Sequence, residues 1–548
     1  MFIVMTNNQD SHFGEKRTAL LAHAALCWNE LDEYRRRRER CKRYTYGDQW
    51  KDRIRVDGRW TTEEEYIRQQ GNEPLKNNLI RRLVKNVIGL YRQQMPALEC
   101  VARDPDEQPL ATTMTRVLQC NWQLNRATEM QARAFEEFLI SGMVAQRKSF
   151  GYRQGRFDCW TDQVAPSRFF FDRHARDSRG WDTDTIGQIT DMSFAQLCTL
   201  FARSPQHYSW LAAAYQPSLM QARTDDMLTS MPLSQLSRNF LAAPHDRCRV
   251  IEVWQRVQKP RFLCHDMREG RLIRCSPEEY YRLLAPIRQQ RSLNGLPGIK
   301  AYWGFDEWWE FTYLTPWGDV LANGISPFQH GQHPFVFKAY PFIDGEIHSF
   351  VDDVIDQQRY TNRLITLYDW VMRSSAKGVL MVPEDCIPDG MTLNDFAEEW
   401  ARCNGVMAVR TRNGTPMPQQ MAVNATNIGI HDLLQTQLDL FEDISGVSGV
   451  LQGKRGASVS SGTLFKQQTH NATTSLADII DTFVAFLTDG AYKDLDNIRQ
   501  CYGQREMTSI AGGVADRVVY DPEQMHDLEF DLIVRPHAQH DDDTSPTS

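Results

Sequence analysis

The sequence predicts an α+β protein, mainly helical, on three observations. The first 150 residues carry apolar positions at helical spacing for most of their length. From Lys148 the texture changes to short runs in which polar and aromatic residues alternate, the pattern of antiparallel strands. From residue 346 long helical patterns return, and nowhere do strands and helices alternate as in a doubly wound sheet. At 548 residues the chain exceeds the size at which one core stops growing, so several domains or one elongated multi-part subunit are expected.

Leu20, Leu21, Ala24, Ala25, Trp28, Leu31 and Tyr34 set a helix over 17–43, ending in the basic run RRRRERCKR, which reads as a solvated helix face. A second helix is expected at 75–94, closed by Pro96, and helical patterns run from about 108 to 146. The stretch SFGYRQGRFDCWTDQV reads as a hairpin about a Gln-Gly turn. Strand-like runs recur at 248–258, 261–264, 271–275, 308–314 and 333–340, with a helix at 193–203. After the turn Asp344-Gly345, residues 346–375 repeat apolar positions every three or four with no Gly or Pro, predicting a rod of roughly 45 Å at ~1.5 Å per residue. A strand at 378–382, a helix at 392–402 capped by Thr392, and a second strand at 405–410 make a compact α/β insertion. Helices follow at 427–445 and from about 463 to 500, then a strand at 528–536 and a polar tail read as disordered.

Composition excludes several classes. A formal charge of −8 provides no general field for DNA or an anionic membrane, so any nucleic-acid contact is local or geometric. Twelve cysteines stand singly without a C-x-x-C pair, the pattern of reduced thiols used as small hydrophobes. The five-residue apolar run at the N-terminus is too short for a signal peptide, and no stretch approaches 18 apolar residues, so a protein without membrane spans, assembled in the cytoplasm, is expected.

No residue set commits to an enzyme. His330 with His333, and Cys264, His265 and Cys275, lack the spacing of a closed four-ligand metal site, so neither metal nor cofactor is expected. Asp352, Asp353, Asp356, Glu398 and Glu399 lie near predicted helix starts, where the helix dipole favours acidic side chains. The glycine-rich stretch GVLQGKRG fails as a phosphate loop. Three residues, not four, separate Gly449 from Gly453, and Arg455 stands where Ser or Thr must hold magnesium. What remains is a 17-residue loop, 446–462, between helices. Loops of that length inside a compact body are usually functional.

In the order of its segments the chain resembles the portal proteins of tailed bacteriophages. The resemblance is carried by FVDDVIDQQRYTNRLITLYDW with Gln358 and Asn362, by AKGVLMV, by EDISGVSGVLQG at the end of helix 427–445, and by SVSSGTLFKQQ. Upstream, QVAPSRFFFD, CRVIEVWQR and HPFVFKAYPF follow in the same order, so the likeness runs from about 75 to 536.

The resemblance implies a portal fold with wing, stem, clip and small crown, assembled with copies of itself into a dodecameric ring at one capsid vertex of the virion. The wing takes 1–345, the first stem helix 346–376, the clip 377–425 and the second stem helix 426–445. The loop 446–462 is the tunnel loop, 463–500 a long helix towards wing and crown, 501–536 a small crown with a returning wing strand, and 537–548 the tail. Double-stranded DNA passes the channel whatever its sequence. Gly449, Gly453, Lys454, Arg455 and Gly456 face it, and Gln358 and Asn362 mark the stem. Glu384, Asp385, Glu398 and Glu399 of the clip meet the terminase motor and later the head-completion or tail adaptor proteins, while capsid or scaffolding protein surrounds the ring. Two rival readings have their own signatures: a nucleic-acid-processing enzyme would use the basic run at 35–43 and the glycine loop as binding elements, and another virion component such as an adaptor or capsid subunit would lack the helix, insertion, helix and loop order.

Overall fold

A computed structural model describes residues 13–535 apart from 94–96, 154, 173, 217–220, 222, 224, 227–237, 269, 296–297, 378, 384–385, 389, 402–408, 410–417, 422–428, 448–473, 475, 512–513 and 526–527. The chain divides into two compact units. One comprises Met1–Lys42, Val84–Asp352 and Thr473–Ser548, the other Arg43–Leu83 and Asp353–Ala472.

The first unit is built on an antiparallel sheet in the order 320–325, 299–314, 248–266, 185–192, 169–171, with 271–275 added along 248–266. Its longest pairing runs without a register shift from Ile251↔Leu314 to Asp266↔Ile299. The separate strand-like runs at 248–258 and 261–264 are therefore one strand, Cys248–Asp266, through Pro260. The helix Thr18–Glu30 covers this sheet: Leu21, Ala24, Ala25 and Trp28 pack with Phe170, Ile251, Val253 and Leu314 in one buried cluster. The predicted hairpin is present, Met143–Arg153 against Arg156–Val164, joined on its other edge by Phe335–Ala339. A second core is aromatic. Phe483, fully buried on the 25-residue helix Ala477–Cys501, lies 4.9–5.9 Å from the rings of Tyr91, Phe135, Phe138 and Phe486. The late strand Phe530–Arg535 returns to pair with Ala97–Ala102.

Several boundaries differ from expectation for local reasons. The helix over 17–43 is two helices, Thr18–Glu30 and Asp32–Tyr46, and the pattern over 108–146 is Gln108–Leu124 and Ala127–Ser141, broken at Arg126, which adopts φ 51°. The basic run is a solvated face only in part: Arg36 and Lys42 are exposed, and others are engaged. Arg38 is buried against Glu137 at 2.7 Å, and Arg35 stacks 3.8 Å over the Trp28 ring. Arg36 pairs with Asp32, and Arg37 reaches His348. Arg35, Arg37 and Arg38 are thus engaged within the first unit, while Arg36 pairs only within its own helix.

The rod expected over 346–375 begins as the 3₁₀ turn Asp352–Val354, where the chain passes from the first unit to the second, and becomes α-helix only at Ile355–Lys377. Residues 342–345 form a turn, with Phe342, Asp344 and Gly345 at positive φ, and the Asp352 N–H donates to Ser349 Oγ at 2.9 Å. Phe350, Val351 and Val354 are buried, so the apolar spacing there reports burial, not helix. Helix Ile430–Ser445 packs on Ile355–Lys377 and ends at Gly446, φ 65°, the left-handed conformation that closes many helices and suits glycine. Between the two helices lie the strand Val379–Met381 and the helix Leu393–Ala401, whose first turn is capped by Thr392 accepting from the Asp395 N–H at 3.2 Å. The strand's partner is Gln419–Met421; the strand expected at 405–410 falls almost wholly outside the described residues.

Candidate functional site

The two residues singled out for the stem, Gln358 and Asn362, are buried and work as a clamp inside the second unit. The first N–H groups of any helix have no partner within it. For helix Leu79–Gln93 these are satisfied from a distance: the N–H groups of Leu79 and Ile80 donate to Gln358 Oε1 at 2.8 and 3.2 Å. Gln358 Nε2 donates to the Asn77 carbonyl at 2.7 Å and to Asn362 Oδ1 at 3.0 Å, and that oxygen also receives the Asn77 N–H. Asn362 Nδ2 donates to Gln49 Oε1 at 2.6 Å, and Gln49 in turn donates to the Tyr44 carbonyl. One turn on, Thr366 Oγ1 accepts the Leu75 N–H. Spacing of four puts Gln358, Asn362 and Thr366 on one helix face, and that face fixes the segment 75–80.

A second column, also spaced by four, holds Arg359 and Arg363. Both guanidiniums donate to Oε1 of Glu63, a buried residue in the first turn of helix Glu63–Gln69. The Thr62–Glu65 capping box starts that helix, with reciprocal hydrogen bonds of 3.2 Å. Thr366, Arg359, Arg363 and Glu63 escaped the sequence reading; the available signal was the repeat of polar residues at 358, 362 and 366 beside basic residues at 359 and 363.

Replacing Gln358 by alanine orphans the Ile80 N–H at a buried position and takes one of two hydrogen bonds from the Leu79 N–H and the Asn77 carbonyl, which keep their 2.9 Å bond to each other. An orphaned buried group costs roughly 1–3 kcal/mol, so a loss of about 2 kcal/mol is expected from urea unfolding.

Among the other sequence-predicted residues, Glu398 is exposed on helix Leu393–Ala401. The Glu399 side chain, Glu384 and Asp385 lie outside what is described, as do Gly449, Gly453, Lys454, Arg455 and Gly456. Cys264 and Cys275 face each other, Sγ to Sγ 4.0 Å, inside a small apolar cluster. His330 and His333 line a cavity of about 300 Å³ in the first unit with Arg256, Trp309 and Lys493. Among the described residues no group of three or more His, Cys, Asp or Glu could hold a metal ion, and no helix is long and apolar enough to cross a membrane.

That cavity has a consequence for pH dependence. Desolvation lowers the His330 pKa to about 3 and that of His333 well below the histidine range, with the Lys493 charge acting the same way on both. Desolvation also lowers Lys493 to about 7 against the pull of Asp489 and Asp496, while its ammonium donates to the carbonyls of His333 and Phe335 at 2.8 and 2.7 Å. Because these folded-state values lie below the unfolded ones, the unfolded chain binds more protons and stability rises with pH through the affected window. The histidines act between about 6.5 and 3, the lysine between about 10.5 and 7. Stability to urea should therefore fall from pH 6.5 to pH 4, and His330→Phe, which keeps the ring stacked on Phe328, should lose part of that slope.

The described residues thus hold a helix fixed by Gln358 and Asn362, a small α/β insertion and a second helix packed on the first, in the order read from the sequence. The sequence profile of the Phage P22-like portal protein family matches residues 21–529, nearly the whole chain, and the chain belongs to that family. No curated protein matches it. The family is structural, and membership implies a component of the virion capsid that assembles with copies of itself and works with capsid and packaging proteins.

Proposed function

We propose that this chain forms the ring at the single capsid vertex through which the terminase motor packages double-stranded DNA, through which the DNA later leaves, and to which head-completion or tail adaptor proteins attach. The observation that carries this reading is the packing of helices Ile355–Lys377 and Ile430–Ser445 on either side of a small α/β insertion, in a chain of the portal family. The two helices serve as stem, 377–425 as clip and 446–462 as the loop facing DNA, with the sheet body as wing and 501–536 as crown and returning strand. Glu384, Asp385, Glu398 and Glu399 are the acidic residues assigned by this reading to meet the docking partners of the clip.

A channel that passes DNA of any sequence must not hold it, because phosphate contacts add up to strong, salt-dependent retention. A chain of net charge −8, with Lys454 and Arg455 as the only Lys or Arg in 446–462, suits passage better than grip. Gly449, Gly453 and Gly456 let the loop shift as the duplex moves. Negative-stain images of the purified protein should show rings with a central hole of DNA width. Deletion of 446–462 should leave those rings intact and impair packaging or retention of DNA; normal packaging by the deletant would refute the role of the loop.

A further inference from the structure

We infer that one end of the large sheet in the first unit is a contact between copies: the open edge of strand Ile299–Leu314 in one copy pairs with the open edge of strand Arg271–Cys275 in the next. The inference rests on the portal reading above, since closing a ring takes two unlike patches on every subunit.

The sheet narrows at this end. Strand Cys248–Asp266 pairs with Thr185–Met192 over residues 248–255 and with Arg271–Cys275 over 262–266, while Ile299–Leu314 pairs with Val320–Ile325 only over 310–314. Among the described residues, 299–308 and 271–275 therefore have a neighbouring strand on one side alone. Successive residues of an antiparallel strand point their backbone groups to opposite sides, so one bond fixes the phase. The Trp309 carbonyl accepts the Ser326 N–H at 2.7 Å, on the side away from Cys248–Asp266. The register with Cys248–Asp266 has no shift, so Ala301, Trp303, Phe305 and Glu307 turn their N–H and C=O groups to that same open side. Counted through the register, Phe262, Cys264 and Asp266 bond to Arg271–Cys275, which leaves Leu272 and Arg274 pointing out on the opposite edge. The Arg256 N–H, bonded to the Asp184 carbonyl, has the same phase. So has Pro260, whose missing N–H falls in the gap between the two partner strands and takes no bond from the ladder.

Open strand edges are templates for another strand, and these two carry large apolar side chains: Leu272, Tyr302, Trp303 and Phe305 are 67%, 58%, 55% and 61% exposed. They also suit each other. Arg271–Cys275 and Ile299–Leu314 are each antiparallel to Cys248–Asp266, and hence parallel to one another. In a ring of many subunits the turn from one copy to the next is small, so the two edges of neighbouring copies meet as parallel strands and extend the sheet. The side chains then match on both faces. Directly opposed residues share a face, which puts Leu272 with Tyr302, and Ile273 with Trp303 and Phe305. The two edges lie on opposite sides of the ribbon and share no residue, so a copy can offer one to each neighbour.

Amide exchange tests the pairing without any substitution. Peptides covering 270–276 and 300–308 should take up deuterium more slowly in rings of the wild-type protein than in single subunits, because paired edge N–H groups are protected. Substitution tests it a second way. Trp303→Pro and Arg274→Pro each remove an N–H that points out and leave the bonds to Cys248–Asp266 in place. One hydrogen bond lost at every contact corresponds to roughly ten-fold in affinity. Each proline variant should need that much more protein to form rings in sedimentation and negative-stain imaging, with unchanged thermal melting of the subunit. Trp303→Ala and Arg274→Ala keep the N–H and should fall between proline and wild type. Equal exchange in rings and subunits at either edge would overturn the contact, and so would rings from folded proline variants at wild-type concentrations. If the wild-type protein itself forms no ring, the portal-ring reading falls first and this contact with it.

Discussion

Replacing Glu252 by alanine is expected to destabilise the first unit by about 3–5 kcal/mol, the cost typical of leaving a buried charge without its partner. The Glu252 and Arg147 side chains are 1% and 2% exposed. Glu252 Oε1 receives Arg147 Nε and Nη2 at 3.2 and 3.1 Å, the Tyr313 hydroxyl at 3.1 Å and the Trp254 indole N–H at 2.9 Å, and Oε2 receives Gln188 Nε2 at 2.7 Å. Burial works against the Arg147 charge, but Glu252 outweighs it and the guanidinium pKa ends above its ordinary value. Arg147 comes from the three-stranded sheet and Glu252 from the long strand of the larger one, so the carboxylate ties two sheets. Urea unfolding followed by tryptophan fluorescence measures the loss. Glu252→Gln keeps the acceptor for Tyr313 and Trp254 and should cost less. Arg147→Met combined with Glu252→Leu removes the uncompensated charge yet still orphans the Tyr313, Trp254 and Gln188 donors, so it should recover only part of the loss. Full recovery would mean that those three donors contribute nothing.

Such a node was not legible in the sequence, and the reason is distance along the chain. Arg147 and Glu252 are 105 residues apart, and Gln358 lies 279 residues from the Leu79 N–H that it caps. Periodicity finds which residues share a face; it does not find what the face meets. The hairpin about Gln154-Gly155, the helix capped by Thr392 and the late strand near 530 were readable because their signals are local: a turn, a cap, an alternation. The strand Ile299–Leu314 was read only in its last part, since Lys300, Gly304 and Asp306 dilute its pattern and its pairing with Cys248–Asp266 alone makes it a strand. Glu63 was missed for a related reason. A glutamate just after Thr62 looks like part of a solvated helix start, whereas it is a buried acceptor for two arginines some 300 residues away.

A proline at Leu364 should cost the second unit more than any substitution that merely shortens the side chain. Leu364 is 6% exposed, midway along the 23-residue helix Ile355–Lys377. Proline there removes one helical N–H donor, collides with the preceding turn at ~3 kcal/mol or more, and also empties an apolar position worth roughly 2–5 kcal/mol. The consequences reach further than the local turn. Gln358 and Asn362 lie before the break and Thr366 after it, so a kink takes the hydrogen bond to the Leu75 N–H out of line with those to Asn77, Leu79 and Ile80. Arg363 lies next to the break, which spoils its pairing with Glu63. Leu364→Ala separates the two contributions, because it empties the same position and leaves the backbone whole. The alanine variant should unfold at lower urea yet still assemble, whereas the proline variant should lose helical circular dichroism and rings together. Equal assembly by both would show that the rod need not be continuous, and the stem role of this helix would be lost with it.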